Sequence, residues 1–540
     1  MALKSARQAA LALTLLAYAL GQGSPALGQA SALAVRFSPG AGTFVGTQTV
    51  TLSTPAGAAI RYTLDGSLPT ATSALYQGPI TIEMSTRLRA VAISGAPDGA
   101  VAGARQQGPV ATEVFLRVDK DAAAFTSHLP IILIHTFESG RLDAYGTEHN
   151  PAAILVLEPT SGTTRLVGRA TLDSRIGVHV RGESSRRFPK KQYAVELRAD
   201  EADSDSDRPL LGMPASSDWV LSDPVAYDRS LIRNALAFSL SNRIGRYAPR
   251  TRFAEVFMVD DGGDVRAGSF LGLFTLIEKI SRSAGRVDVS RLPVSATTAP
   301  AMTGGYILRI DKGLADFGAA GRRVQFVYPK SDDMLLPERA PQVDFISRFI
   351  DDFALAARAP DFKHPVTGQH YSAFIDVDAW IDHHILNTLA KNVDALRFSS
   401  YFYKERGGRL AAGPLWDFDR SFGTLQDPRA GEPEEWKQMW TDGTDPFNDG
   451  WWGLLFRDPD FRARYRKRFM TLLNGELSPD NVARIIDAMV LEVGDAANRN
   501  FRRWPETPPL DDSYAAEIAL MKDFLQRRTA WIRTQLNTGF

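Results

Sequence analysis

The 540-residue chain contains no cysteine. That excludes disulfide staples, thiolate metal ligands, a cysteine nucleophile and a lipobox cysteine for lipid anchoring. Neither sign of charge is in excess: Lys+Arg and Asp+Glu both number 62, so no net field draws the chain to nucleic acid or to an anionic membrane. Histidine is scarce, with 8 in all, and the adjacent His383 and His384 point to neighbouring faces of one helical stretch. They read as structural residues rather than joint metal ligands. Beyond the N-terminus no apolar run approaches the roughly 18 residues of a membrane-spanning helix.

What is present is an ordinary globular composition, 44% hydrophobic and 23% charged, which speaks against wholesale disorder. The length is too great for one core, so two or three domains are expected. The first residues carry Lys4 and Arg7, an apolar run over residues 9–20 and then small side chains. This is the pattern of a Sec-type signal peptide over residues 1–31, with cleavage between Gly28 and Ala32, and it places the mature protein in the periplasm or outside the cell.

Short β-prone runs with Gly, Pro and Asp between them occupy residues 35–118, clearest at residues 47–52, 59–64, 80–82 and 87–93. Their spacing predicts a small β-sandwich over residues 32–118. The Gly/Ala/Pro-rich residues 95–109 read as an exposed loop or linker.

Further on, IGVHVRGESSRRFPKKQYAVEL (residues 176–197) alternates like two half-buried strands around a loop crowded with Arg181, Arg186, Arg187, Lys190 and Lys191. Small residues and several cations in one loop suit phosphate oxygens. Ile232, Leu236, Leu240 and Ile244 mark one face of a helix capped by Asp228 or Ser230, with local hydrogen bonds expected for Arg233 and Asn234. The strand GLFTLIEKI (residues 272–280) ends on Glu278, whose carboxylate needs a partner if buried; a lysine of the basic loop is the expected one. GGYILRIDK (residues 304–312) is another strand with a charged end, and the acidic residues 203–207 read as a disordered loop.

The most informative stretch is residues 387–423, NTLAKNVDALRFSSYFYKERGGRLAAGPLWDFDRSFG. It reads as a helix end, a loop with Asp394, a hairpin turning at residues 405–408, and a second loop with Asp417 and Asp419. A hairpin brings its ends together, so Asp394 and Asp417 are expected to be neighbours although 23 positions apart. Each aspartate alone is a common turn former or cap. Three carboxylates gathered this way repel unless a cation intervenes, which points to a hard divalent ion, Mg²⁺ or Mn²⁺. One acid before a hairpin and one after it is also the layout of phosphotransfer sites of the protein-kinase kind. The helical tail from Trp451 onward closes a C-terminal lobe, its basic cluster at residues 462–468 reads as a solvated face, and residues 424–450 as a lid or substrate platform.

Two resemblances arise from these residues. FSPGAGTF and IRYTLDGSLPTATSALYQGPI resemble the Fn3-like domain at the C-terminus of chitobiases, in which Tyr62 and Asp65 would be a packing and a turn residue. RGESSRRFPKK, DRSLIRN, GLFTLIEKI, GGYILRIDK, NVD and GPLWDFDRSFG, in that order, resemble the CotH family, which includes atypical secreted kinases. The resemblance implies a multidomain protein: an all-β Fn3-like sandwich followed, over residues 119–540, by an α+β atypical protein-kinase-like domain with a helical C-lobe. It implies ATP and Mg²⁺ or Mn²⁺ as cofactors, and Ser/Thr of an extracytoplasmic protein as acceptor. Asp394 would be the catalytic acid, Asp417 a metal ligand with Asp419 nearby, Arg181 and Lys190 or Lys191 phosphate contacts, and Glu278 the lysine's partner. Where many kinases carry Asn five residues after the catalytic acid, this chain has Ser399. That departure keeps open an inactive, pseudokinase-like adhesin; the accessory module keeps open polysaccharide binding and a carbohydrate-active enzyme.

Overall fold

The computed structural model describes residues 33–54, 58–94, 106–222, 226–313, 315–436 and 446–539. The signal-peptide expectation lies outside the described residues, as do residues 95–105 of the expected linker.

Alternation of small apolar residues builds the N-terminal β region. A three-stranded sheet, Arg36–Ser38, Gln48–Ser53 and Ile80–Ile82, faces a second sheet containing Thr86–Ser94, Ala59–Thr63 and Ala111–Arg117. Val50, Leu52, Ile80, Ile82, Leu88, Ala90 and Ala92 alternate inward and make one core. Asp65 is a turn residue, accepting from the Ser67 amide at 2.9 Å. The strand Ala111–Arg117 is buried on both faces: Phe115 enters the sandwich core, while Val114 and Leu116 pack with Leu133 and Leu155 of the next unit. The expected linker therefore leads into another sandwich strand, since Gln107 pairs with Ile93.

That next unit is a closed barrel, its strands ordered Ile131–His135, Asn150–Leu157, Leu172–Arg181, Gln192–Arg198, Asp218–Ser222, Phe270–Glu278 and Thr251–Val259. The last strand closes on the first in parallel. Period-two alternation sends Ile132, Ile154, Val178, Val195, Trp219, Val256 and Phe274 inside. Each such large side chain gains about 1.5–3 kcal/mol from leaving water. The acidic residues 203–207 are ordered against this barrel, contrary to expectation: Asp205 bridges Arg198, and the Ser206 amide donates to Leu197 O at 2.9 Å. Local backbone bonding outweighs the acidic composition there.

A five-stranded sheet follows, in which Tyr306–Ile310 lies between Arg322–Tyr328 and the hairpin Ser400–Lys404/Leu410–Ala412. Gly413, at φ 122°, takes a conformation other residues rarely adopt and follows directly on the end of the return strand Leu410–Ala412. Helices Ala340–Arg358, Val377–Ala390, Pro459–Leu473, Pro479–Val493 and Tyr514–Thr538 pack around it, sharing one large core with the helix Arg233–Arg243. The Asp376 side chain caps Val377–Ala390, and the indole of Trp380 donates to Leu410 O at 2.9 Å, fixing this helix against the hairpin. His383 and His384 are buried on it; His384 bonds the Tyr465 hydroxyl and Pro446 O. Arg468 is not merely solvated, because it pairs with the buried Asp382 at 2.7 Å. Among the described residues no helix is long and apolar enough to cross a membrane.

Candidate functional site

The two loops at the ends of the hairpin are held in unusual conformations. Ser399 at φ 50° and Asp417 at φ 64° are left-handed, as is Leu396 at φ 66°. Such non-glycine positions cost on the order of 1–3 kcal/mol each and persist where surrounding bonds over-determine them. Asn392 supplies two of those bonds, donating to Asp417 O at 3.1 Å and accepting from the Asp394 amide at 3.3 Å. Asn234 supplies another, accepting from the Phe418 amide at 2.7 Å.

Arg233 sets the helix that carries Asn234. Fully buried, it reaches Asp228 at 2.7 Å, Ser421 O at 2.8 Å and Glu517 at 3.4 Å. The local bonding expected of these two residues holds for Arg233, with Asp228 and with Ser230 Oγ at 3.1 Å. Their other bonds tie the helix start to the Asp417–Asp419 loop, through Ser421 O and the Phe418 amide, and to Glu517 of the helix Tyr514–Thr538, which no local pattern in the sequence encodes.

The three carboxylates divide into two groups. Asp417 and Asp419 hydrogen-bond each other; burial, and then the neighbouring charge, pushes both carboxyls above the usual carboxylate range, Asp419 furthest. Asp394 instead faces two guanidiniums, Arg420 at 3.8 Å and Arg429 at 4.0 Å. It still contributes to raising Asp417, as the expected proximity requires. Ser399 Oγ donates to Asp417 Oδ2 at 3.2 Å. Among the described residues no three His, Cys, Asp or Glu side chains form a metal-holding group.

These loops form one wall of a cleft of about 380 Å³, a volume in the range of small-ligand sites. The opposite wall is the end of the barrel strand Leu172–Arg181 and the turn after it. Gly182 sits there at φ 102°, and a Cβ would fall 2.0 Å from Ser185 Oγ, so only glycine fits this turn. Arg181 lies over the Trp416 ring at 5.5 Å and donates to Gln192 at 3.1 Å. Arg309, Asp311 and Lys312, at the end of the sheet strand, complete the mouth.

Lys190 and Lys191, just ahead of the strand Gln192–Arg198, point apart. Lys191 donates to Arg186 O within its own loop. Lys190 is buried, donating to Leu273 O and Asn500 Oδ1, both at 2.6 Å, and it lines a small cavity with Asp419 and Tyr227 behind the main cleft.

The expected lysine–Glu278 pair does not form. Glu278 is bonded by Arg250 at 2.6 Å, with Arg286 at 3.6 Å. The register explains this: Tyr193 pairs with Leu221 and Leu221 with Leu276, so Lys190 lies level with Leu273 while Glu278 stands at the opposite end of its strand. Hydrophobic alternation located the strand and its charged end, but the partner depends on which way two strands run.

Sequence reading missed Tyr227, Asn392, Arg420, Asp427 and Arg429 as parts of the site. A usable signal was the arginine directly after the WDFD acids.

A β-rich N-terminal region and a barrel-plus-helix unit with a charged cleft thus define a multidomain α+β protein. Residues 178–532 match the CotH kinase protein family, well over half of the 540 residues, and the chain belongs to that family. Residues 39–102 match the chitobiase/beta-hexosaminidase C-terminal domain. No curated protein matches the chain.

Proposed function

We propose that the chain is a secreted, divalent-metal-dependent phosphotransferase with a distant protein-kinase-like layout, moving the γ-phosphoryl group of ATP to a Ser or Thr hydroxyl of an extracytoplasmic protein. The observation that carries this reading is the division of the carboxylates: a paired, desolvated Asp417–Asp419 and a separate, cation-flanked Asp394 on one wall of the cleft.

The residues fit a hard cation. Mg²⁺ ordinarily takes one or two carboxylates and completes its shell with water and phosphate oxygens, so the pair suffices without a third acidic ligand. Asp417 and Asp419 would hold it, with Ser399 as a weak neutral neighbour. Bound there, the ion supplies charge neutralisation for the phosphates. Asp394 accepts the proton of the acceptor hydroxyl, and its backbone is fixed by Asn392 for that task. Arg181 and the backbone of the Gly182 turn face the phosphates from the barrel side. Lys190, next to Asp419 in the rear cavity, adds positive charge behind the carboxylate pair rather than pairing with Glu278.

The test is a thermal shift of the mature protein with ATP, with and without Mg²⁺ or Mn²⁺, beside Asp417→Ala. A ligand that binds only the native state raises the midpoint, so the expected result is a metal-dependent rise lost in the variant. No shift at millimolar nucleotide would transfer the reading to a surface binding protein, which Ser399 in the usual Asn position favours.

A further inference from the structure

The proposed transfer leaves one cation at the reacting centre without a task. Arg420 follows Asp417 and Asp419 on the same loop and lines the cleft. Its guanidinium stands 3.8 Å from Asp394 Oδ2 and 3.7 Å from Asp427 Oδ2, beyond hydrogen-bond range of both. Asp427 is already occupied, since Arg429 grips it with Nε at 2.9 Å and Nη2 at 2.6 Å. Among the described residues nothing hydrogen-bonds the Arg420 head, yet its side chain is only 14% exposed.

What holds it is a flat stack. The guanidinium lies 3.8 Å from the centroid of the Tyr227 ring. Tyr227 is itself fixed at both ends: Arg187 donates to its hydroxyl at 2.9 Å and Thr424 donates to its carbonyl at 2.5 Å. Stacking orients the plane without consuming the N–H donors. A preorganised guanidinium with free donors, beside the acid that takes the acceptor proton, is the arrangement that stabilises charge on a phosphoryl group in flight.

We infer that Arg420 is a catalytic arginine supplied in cis, donating to the equatorial oxygens of the transferring phosphoryl group; this rests on the phosphotransferase reading above. In the step, the acceptor oxygen bonds to the γ-phosphorus while the bond from that phosphorus to the β,γ-bridging oxygen breaks. The hydroxyl proton passes to Asp394, and the electron pair of the broken bond leaves with the nucleoside diphosphate. Arg429 and Asp427 form a neutral pair beside this centre, so Arg420 keeps its own charge for the transition state.

The experiment measures transfer from γ-labelled ATP with Mn²⁺ to a randomised serine-peptide library, for wild type, Arg420→Ala and Arg420→Lys. Binding of a fluorescent ATP analogue and circular dichroism are recorded on the same preparations. Arg420→Ala is expected to lose roughly 10³-fold or more in kcat with little change in nucleotide affinity and a native spectrum. Added guanidinium ion restores part of the rate, and Arg420→Lys recovers little, because a point charge cannot reproduce the fork. An active wild type whose Arg420→Ala variant keeps its kcat, or loses rate only through nucleotide affinity with no guanidinium rescue, overturns the assignment while leaving the phosphotransferase reading standing. A wild type that binds nucleotide but transfers nothing overturns both. If Arg420→Ala does not fold, the failure of Arg420→Lys to fall in kcat decides against the assignment.

Discussion

Ser399 and Asp417, 18 positions apart, meet across the hairpin in matching left-handed conformations, the serine hydroxyl donating to Asp417 Oδ2 at 3.2 Å. The contact joins the loop of the candidate acid to the loop of the candidate metal ligands. A serine that holds a carboxylate is a weaker ligand than an asparagine carbonyl, but the backbone there suits asparagine better than most residues. Ser399→Asn is therefore expected to fold normally and to lower the Mn²⁺ concentration needed for half-maximal nucleotide binding. Ser399→Ala should raise it and cost about 1 kcal/mol of stability through the lost hydrogen bond. Equal metal dependence in all three proteins would remove Ser399 from the site.

Asp394 and Asp417 are expected to fail differently. Asp394→Asn keeps shape and the Asn392 contact to its amide, so nucleotide-dependent thermal stabilisation should survive while phosphoryl transfer falls by roughly 10²–10⁴-fold. Asp417→Asn should lose the metal-dependent part of the stabilisation itself. If both variants lose nucleotide binding alike, the division of labour between the two carboxylate groups is wrong.

Behind the cleft, Gly272 makes room for Asn500, whose Oδ1 accepts from Lys190 at 2.6 Å and from the Leu273 amide at 3.2 Å. A Cβ on Gly272 would lie 2.4 Å from that oxygen, at φ 100°. Gly272→Ala should thus destabilise by more than 1 kcal/mol and, by displacing Asn500, release Lys190 from its fixed position. The check is the denaturation midpoint together with nucleotide affinity. An unchanged midpoint would mean that the helix Asp495–Arg503 shifts freely against the barrel.

Legibility of the chain from sequence followed the range of the interactions involved. Period-two alternation found the sandwich strands and the barrel strand carrying Arg181, and turn chemistry found the hairpin between Asp394 and Asp417, because both signals are local. The partner of Glu278 was misread because register and strand direction, settled only by closure of the barrel, place Arg250 beside it. Arg420 was flagged only by its place directly after the acids, and its pairing with Tyr227 was not legible, for a similar reason. The stack joins segments about 200 positions apart by tertiary packing alone, while Asp427, the counter-ion shared with Arg429, lies within the same loop region as Arg420.

The junction between sandwich and barrel carries a pH dependence whose direction is fixed. Glu113 of the strand Ala111–Arg117 and Asp173 of the barrel strand Leu172–Arg181 are brought together there, Asp173 Oδ2 accepting from the Val114 amide at 3.2 Å and Glu113 from the Ala41 amide. Burial, and then the Glu113 charge, lifts Asp173 from its ordinary 3.8 to about 7, with Arg208 opposing and Asp200 reinforcing. Glu113 is raised as well, mainly by burial, with Arg169 opposing. Between those two values for Asp173 the folded chain binds the proton that the unfolded chain has released, so stability falls as pH climbs from about 4 to about 7 and is flat beyond. The expected size is on the order of 2 kcal/mol, since several polar groups relax around the pair. Asp173→Asn keeps the acceptor for Val114 and removes the titration, so its thermal midpoint should exceed that of wild type at pH 8, with the gap narrowing as pH falls and closing near pH 4. A wild-type midpoint that rises through this window more steeply than the variant's would show that the pair is ionised and paired with Arg208 and Arg169 instead.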